Sequence, residues 1–272
     1  MRQPRRDTRG IVDPAELLRR VRFRRVAPTA ALAGLVEHYW FIDWDLDEPY
    51  EQHVVGHPSV NLVVMRATAD EAVTAEVSGV SRSLFSIKLA DRGWVRGVQF
   101  RPGAFPAFSG ASPAPLTDRR VPLARVLPSI GPLDALVEAA AEPDAGDRAA
   151  AAVLDGLLLG LCPEPDAAAR LAMELVDRVR HDRGVRRVDD LAHGAGLSTR
   201  SLQRMFTEHV GVGPKWVILR YRLHEAIERA AGDVDWAQVA AELGYSDQAH
   251  LVREVTAAIG VSPAAYAAAI SR

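Results

Sequence analysis

The chain has 272 residues, enough for about two domains, with 48% hydrophobic and 25% charged residues and a formal net charge of −2. No apolar run approaches the roughly 18 residues of a membrane helix, and the arginine-rich N-terminus has no apolar core behind it, so neither a membrane span nor a secretory signal is expected. The single cysteine, Cys162, excludes an intrachain disulfide and fits a cytoplasmic protein.

Residues 1–30 read as a basic tail leading into a short helix near Pro14–Arg20. Between Met1 and Arg25 nine arginines stand against Asp7, Asp13 and Glu16, giving 9 − 3 = +6. A solvated tail is the plain reading of such a run, and a secondary DNA contact is the alternative. Residues 31–115 are β-rich. The segments 36–44, 60–65, 73–77 and 94–100 are aromatic or β-branched. Glycine and proline punctuate them at Gly56-His57-Pro58, Gly79, Arg92-Gly93 and Arg101-Pro102-Gly103. The expected fold class is α+β, with a small barrel-like or sandwich-like N-terminal domain and an all-α C-terminal domain.

A pocket between these strands would be lined by residues such as Trp40, Trp44 and Phe100, although aromatics there are more often plain core. Arg101 can hold an acidic ligand or a structural carboxylate, and the structural role is the better one. His53 and His57 with Glu51 are two histidines four apart across a turn; no third histidine follows at a recognisable spacing, so no metal site and no cofactor are expected. Residues 116–165 form a helical connector, with helices near 133–141 and 147–161 and a linker at Cys162–Asp166. Asp166 opens the next helix, Gly184 ends it, and the domain boundary falls near residue 165.

Residues 166–272 use one pattern twice, over 188–210 and 236–258. Ala192, Gly196 and Ser198 match Ala240, Gly244 and Ser246 at an offset of 48. Arg204, Gly211 and Pro214 match Arg253, Gly260 and Pro263 at an offset of 49, so the second copy holds one extra residue after its turn. Each copy reads as helix, tight glycine turn and capped helix, the motif that places a helix in the DNA major groove. In the first reading helix Arg200, Gln203 and Arg204 share a face, and arginine and glutamine pair bidentately with guanine and adenine edges. The second offers Gln248, His250 and Arg253; at the offset of 48, His250 stands where the first copy has core Leu202. Ser198 and Ser246 are the expected caps. From Arg200 to Arg222 five basic residues face Glu208 alone, 5 − 1 = +4, a local excess suited to phosphate. A helix from Pro214 to Ala231 links the copies and spans about 27 Å.

These residues resemble the DNA-binding domain of the AraC/XylS transcriptional regulators. The resemblance is carried by 198–206, 220–223, 240–248 and 260–266. It implies a seven-helix domain with two helix-turn-helix units and contacts to double-stranded DNA from Arg200, Gln203, Arg204, Gln248, His250 and Arg253. Val255 stands where the family usually has an aromatic, and Thr256 where it has a basic residue, which weakens the second contact. The resemblance also implies a small-molecule effector or dimerisation through the N-terminal domain, and RNA polymerase as a partner. The β-rich half is similar to an uncharacterised domain of some AraC-type regulators, which names no ligand. No enzyme motif is expected: His224-Glu225-Ala226-Ile227-Glu228 lacks the second histidine of a zinc protease helix. Two rival readings stand beside this one. They are a helical interaction protein that has lost DNA binding, and a DNA-repair methyltransferase fusion using Cys162, for which the linker offers no basic setting.

Overall fold

In a computed structural model of the chain, residues 10–141, 146–230 and 234–270 are described; most of the basic tail, residues 1–9, lies outside them. After helix α1 (Pro14–Arg20) come six strands, β1 (Arg22–Val26), β2 (Val36–Val55), β3 (Asn61–Arg66), β4 (Thr74–Ser78), β5 (Leu84–Phe100) and β6 (Arg120–Pro122). They form one antiparallel sheet in the order β1-β2-β5-β3-β4-β6. The β-rich half is therefore a single open sheet whose edge strands β1 and β6 do not meet. Helices α2 (Pro106–Ser109), α3 (Leu123–Val126), α4 (Asp134–Ala141) and α5 (Gly146–Leu159) follow.

Alternation along the strands sorts side chains between two faces. Tyr39 and Phe41 of β2 and Val98 and Phe100 of β5 join Leu136 and Leu154 of α4 and α5 in the main core. Trp40, Ile42 and Trp44 take the other face. Arg96 lies on the helical side and is 0% exposed. It donates to Asp43 at 2.8 Å and to the carbonyls of Val95 at 3.1 Å and Ala140 at 3.3 Å, with its guanidinium 5.2 Å from the Phe41 ring centre. Burial pulls this guanidinium below its ordinary value, and Asp43 opposes that. Arg24 binds Asp43 as well and reaches Asp147 of α5 at 2.6 Å, so the charges tie sheet to helices as one chain. A buried cation persists only when paired and hydrogen-bonded in this way.

The strands run further than their composition suggests. β2 and β5 stay paired as far as Val55 and Leu84, through the acidic, proline-containing stretch 45–51. The register slips between Leu46 and Tyr50, and Asp91 opposite takes a φ of 51°. Such a bulge bends a ribbon. It returns Gln52, Val54, Phe85 and Ile87 over the face that carries Trp40. Leu17 of α1, 1% exposed, closes the side.

Gly93, expected as turn punctuation, lies inside β5 opposite Trp44, and Gly97 lies opposite Trp40. A Cβ on either glycine would run into the tryptophan ring across from it. Each glycine thus gives a ring room to lie flat on the sheet.

The C-terminal helices are α6 (Ala167–His181), α7 (Val188–Gly194), α8 (Thr199–Val210), α9 (Pro214–Glu228), α10 (Trp236–Leu243), α11 (Gln248–Ile259) and α12 (Pro263–Ile270). Asp166 caps α6, accepting from the Ala169 amide at 2.7 Å. The helix stops at His181 with Asp182 as its C-cap, two residues before the expected Gly184. α9 is shorter than expected, 15 residues or about 22 Å. Apolar residues of α9 serve two cores, Val217 and Ile218 one with α6 and α8, Leu223 and Ile227 another with α10 and α11.

α9 also touches the sheet domain. Arg220, 6% exposed, donates to the Arg82 carbonyl at 2.7 Å. His224, 1% exposed, donates from Nε2 to the Gly56 carbonyl at 3.3 Å and stacks on His57 with ring centres 4.4 Å apart. Thr117 donates to the Gly211 carbonyl at 2.7 Å, and Arg180 of α6 meets Glu37 at 2.8 Å.

Substituting Gly97→Val should cost about 1–3 kcal/mol, the usual range for forcing atoms into a packed site. Urea denaturation of the full chain reads this directly; an unchanged midpoint would show that Trp40 does not depend on the glycine.

Candidate functional site

In each C-terminal repeat a left-handed glycine turns the chain and a polar side chain caps the second helix. Gly196 has φ 66° and Gly244 φ 74°, a region in which a β-carbon is penalised. Ser198 caps α8, accepting from the Ser201 amide at 3.1 Å. In the second repeat the cap is Asp247, accepting from the His250 amide at 2.7 Å, rather than the expected Ser246. Its carboxyl is held below the ordinary range, first by that amide hydrogen bond. The extra residue of the second repeat therefore sits between glycine and cap.

Aligning the caps changes the comparison of the two reading helices. Arg253 corresponds to Arg204, Val252 to Gln203 and Ala249 to Arg200. Leu251, 0% exposed, corresponds to the equally buried Leu202. His250 corresponds to Ser201 rather than to a core leucine, which corrects the reading at the offset of 48. Its ring packs edge-on against Tyr245, lies 3.2 Å from the Ser246 hydroxyl and 3.9 Å from Glu254. The reason is local: an extra turn residue shifts every later side chain by one position.

On α8 the core face is Leu202, Phe206 and Val210, all buried, and Arg200, Gln203 and Arg204 are exposed on the far side. The Arg204 side chain is 76% exposed and only 4.0 Å contact with Glu208 restrains it. On α11 Gln248, Ala249 and Arg253 are exposed, and Val252 is half-buried. Two of the arginines counted in the local excess are used internally. Arg220 is buried against the sheet domain over the Trp216 ring, and desolvation takes it down to about 10. Arg222 donates to the carbonyls of Arg186 at 2.6 Å and Gly244 at 3.3 Å, bracing the second turn. Arg200, Arg204 and Lys215 remain exposed. Composition cannot separate these roles, because all five are simply basic residues in one stretch.

The bent sheet encloses a cavity of about 210 Å³. Trp40 and Trp44 line it; Phe100 and Arg101 do not. Phe100 packs on Phe105 and Phe108 in the main core, with ring centres 5.1 and 4.9 Å away. Arg101 is ion-paired with Asp177 of α6. Alternation explains the split, since Phe100 and Trp40 lie on opposite faces. Sequence reasoning passed over His38 and Gln52 of the lining, 6% and 5% exposed. The readable signal was the pair of four-residue spacings, Trp40/Trp44 against Gly93/Gly97. His53 turns away to the Ser86 hydroxyl at 2.7 Å, while His57 faces His224. Cys162 is exposed, at φ 50° just beyond α5. Among the described residues no helix is long and apolar enough to cross a membrane.

Residues 191–269 match a family profile described as a helix-turn-helix domain. That span contains both turns, both caps and both reading helices. The C-terminal domain is an AraC-type helix-turn-helix domain. Residues 24–122 match a domain of unknown function, DUF6597. No curated protein matches the chain. Among solved structures, the AraC-type domain is similar to the DNA-binding domain of AdpA in complex with a target DNA, at 26% identity over 38% of this chain and 92% of that one, with a TM-score of 0.32. It is also similar to the C-terminal domain of AraT, a response regulator from Geobacillus stearothermophilus, at 22% identity over 35% and 84% of the two chains and a TM-score of 0.32. ToxT from Vibrio cholerae O395 is similar over 92% of this chain and 97% of its own, at 10% identity and a TM-score of 0.43. These scores are too low to transfer one arrangement to the other. The AraC-type assignment stands on the profile and the doubled turn.

The corrected cap separates two neighbouring side chains. Asp247→Ala should cost about 1 kcal/mol, the ordinary worth of an N-cap, and Ser246→Ala only a few tenths. Thermal unfolding of both variants decides it, and the reverse ranking would return the cap to Ser246.

Proposed function

We propose that the protein is a sequence-specific, DNA-binding transcriptional regulator, non-enzymatic and cytoplasmic, whose sheet domain senses a small molecule. The observation that carries the DNA reading is the exposed trio Arg200, Gln203 and Arg204 on a capped helix whose opposite face is fully committed to the core. Guanidinium and carboxamide groups match base edges, and the unengaged arginines and Lys215 match phosphates. In this reading α8 is the main specificity element. α11 contributes Arg253 and Gln248, with His250 at the start of the helix beside Ser246 and Glu254.

Sensing is supported by the cavity and by its position. Gly56 and His57 line it, and the same two residues meet His224 of α9. A ligand that displaces this loop changes the support of the helix that joins the two reading units. The partners in this reading are double-stranded DNA, RNA polymerase, a small-molecule effector and a second copy of the chain.

DNA fragments recovered from a random pool by the purified chain should share one motif, and binding should weaken steeply with salt. Arg204→Ala should lose about 1–3 kcal/mol of specific affinity and relax one base position. Arg253→Ala should lose less, since its neighbours Ala249 and Val252 offer no polar partners. Electrophoretic mobility shifts on the recovered motif measure both. Negligible affinity at low salt would sink the DNA reading and leave the helical interaction protein.

A further inference from the structure

The strand register places one polar row across the cavity floor. His38 of β2 is opposite Gln99 of β5, Gln99 opposite Asn61 of β3, Asn61 opposite Ser78 of β4, and Ser78 opposite Arg120 of β6. All five line the cavity. The next row on the same face is Trp40, Gly97 and Val63, and the one after it Ile42, Val95 and Met65. The floor is thus polar at one end and apolar beyond, because alternate residues of every strand face the same way. The polar end is the one beside Gly56, His57 and the DNA-binding domain.

The charged side chains at that end have one sign. Arg25 and Arg120 line the cavity together with the rings of His38 and His57, and among the described residues no Asp or Glu does. Arg120 is paired with Glu76, and Glu37 outside the cavity is held by Arg180 at 2.8 Å. Burial first, then the positive charges of Arg25, His57 and Arg180, hold the His38 ring well below the ordinary histidine range. One polar atom also awaits a partner: Ser59 is 2% exposed, lines the cavity, and its Oγ has no hydrogen-bond partner among the described residues. A buried hydroxyl is normally satisfied, so a group entering the cavity is its natural partner.

We propose that this cavity binds a small molecule with a compact apolar body and a single anionic head, in the simplest case a monocarboxylate. The head lies on the row His38, Gln99 and Asn61 within reach of Ser59, and the body lies over Trp40, Val63 and Val95. At about 210 Å³ the space is below the roughly 300–1,000 Å³ of drug-sized sites, which favours a single ring or short branched chain. The inference rests on reading the sheet domain as a sensor and adds the chemical class of what it senses.

Three probes of one shape test it on the full chain: 3-phenylpropanoate, 3-phenylpropanamide and 3-phenylpropylamine. Calorimetric titration, with tryptophan fluorescence as a second readout, should show the carboxylate binding at least about tenfold more tightly than the amide, as expected for charge-assisted hydrogen bonds, and the amine not saturating. Gln99→Leu combined with Ser59→Ala should remove most of that preference, and Val63→Trp, which fills the apolar end, should abolish binding of both the carboxylate and the amide. Amide or amine binding as tight as the carboxylate overturns the anionic class and leaves a sensor of another ligand. No saturable binding by any probe overturns the proposal as well. The underlying sensing role has a separate arm: if Val63→Trp, checked by circular dichroism for folding, controls a reporter on the native promoter as the unaltered chain does, sensing itself fails. Should Val63→Trp not fold, the Gln99→Leu, Ser59→Ala variant carries both readouts.

Discussion

Everything in the C-terminal half leans on α9, and α9 is a helix with almost no free side. Its apolar residues close one core with α6 and α8 and another with α10 and α11. A third aspect carries Arg220 and His224, both buried against the sheet domain. Burying a guanidinium removes it from water, and that loss is offset by the Arg82 carbonyl, the Trp216 ring and the charges of Asp118 and Glu254. The polar groups therefore fix where the two halves meet, while apolar packing fixes where the reading helices stand. One rigid rod serves both purposes, so neither half can shift without the other meeting it.

The sheet domain depends on a different constraint, the fit of large rings onto missing side chains. Trp40 and Trp44 lie where Gly97 and Gly93 leave room, and the bulge at Leu46–Tyr50 folds the ribbon back over them. Together these make a hollow in an open sheet that, among the described residues, has no second sheet to pack against. The opposite face is conventional, filled by Tyr39, Phe41, Phe100 and the helices, with buried Arg96 tied through Asp43 to Arg24 and Asp147. The same strands thus supply a dry core on one side and a space on the other.

Much of the C-terminal domain was legible in the sequence because its signals are local. A glycine at a left-handed turn, a cap and a periodic apolar face lie within a dozen residues of one another. The second cap was misplaced by one residue for the same reason: Ser246 and Asp247 are both good caps, and only three-dimensional geometry chooses. The α+β class and four strand positions were also legible. The length of β2 and β5 was not, since Asp45–Glu51 looks like a loop and is held in the sheet by a partner strand forty residues away. Nor was the division of labour among Arg200, Arg204, Arg220 and Arg222. Two are left to solvent and two are consumed by contacts with main-chain carbonyls that no local pattern announces. For Phe100 and Arg101 the plainer readings, core and structural carboxylate, are the ones the structure takes.

The hydrogen bonds by which α9 and its flanks grip the sheet domain share one property. Arg220, His224 and Thr117 all donate to backbone carbonyls, those of Arg82, Gly56 and Gly211. A carbonyl is present whatever residue occupies the position. The position of Arg82 is thus free to vary in sequence provided the path is kept, whereas Gly211 is held to glycine by its φ of 92°. These bonds recognise the path of the backbone, while the ion pairs Arg180–Glu37 and Arg101–Asp177 hold the same junction by side-chain charge.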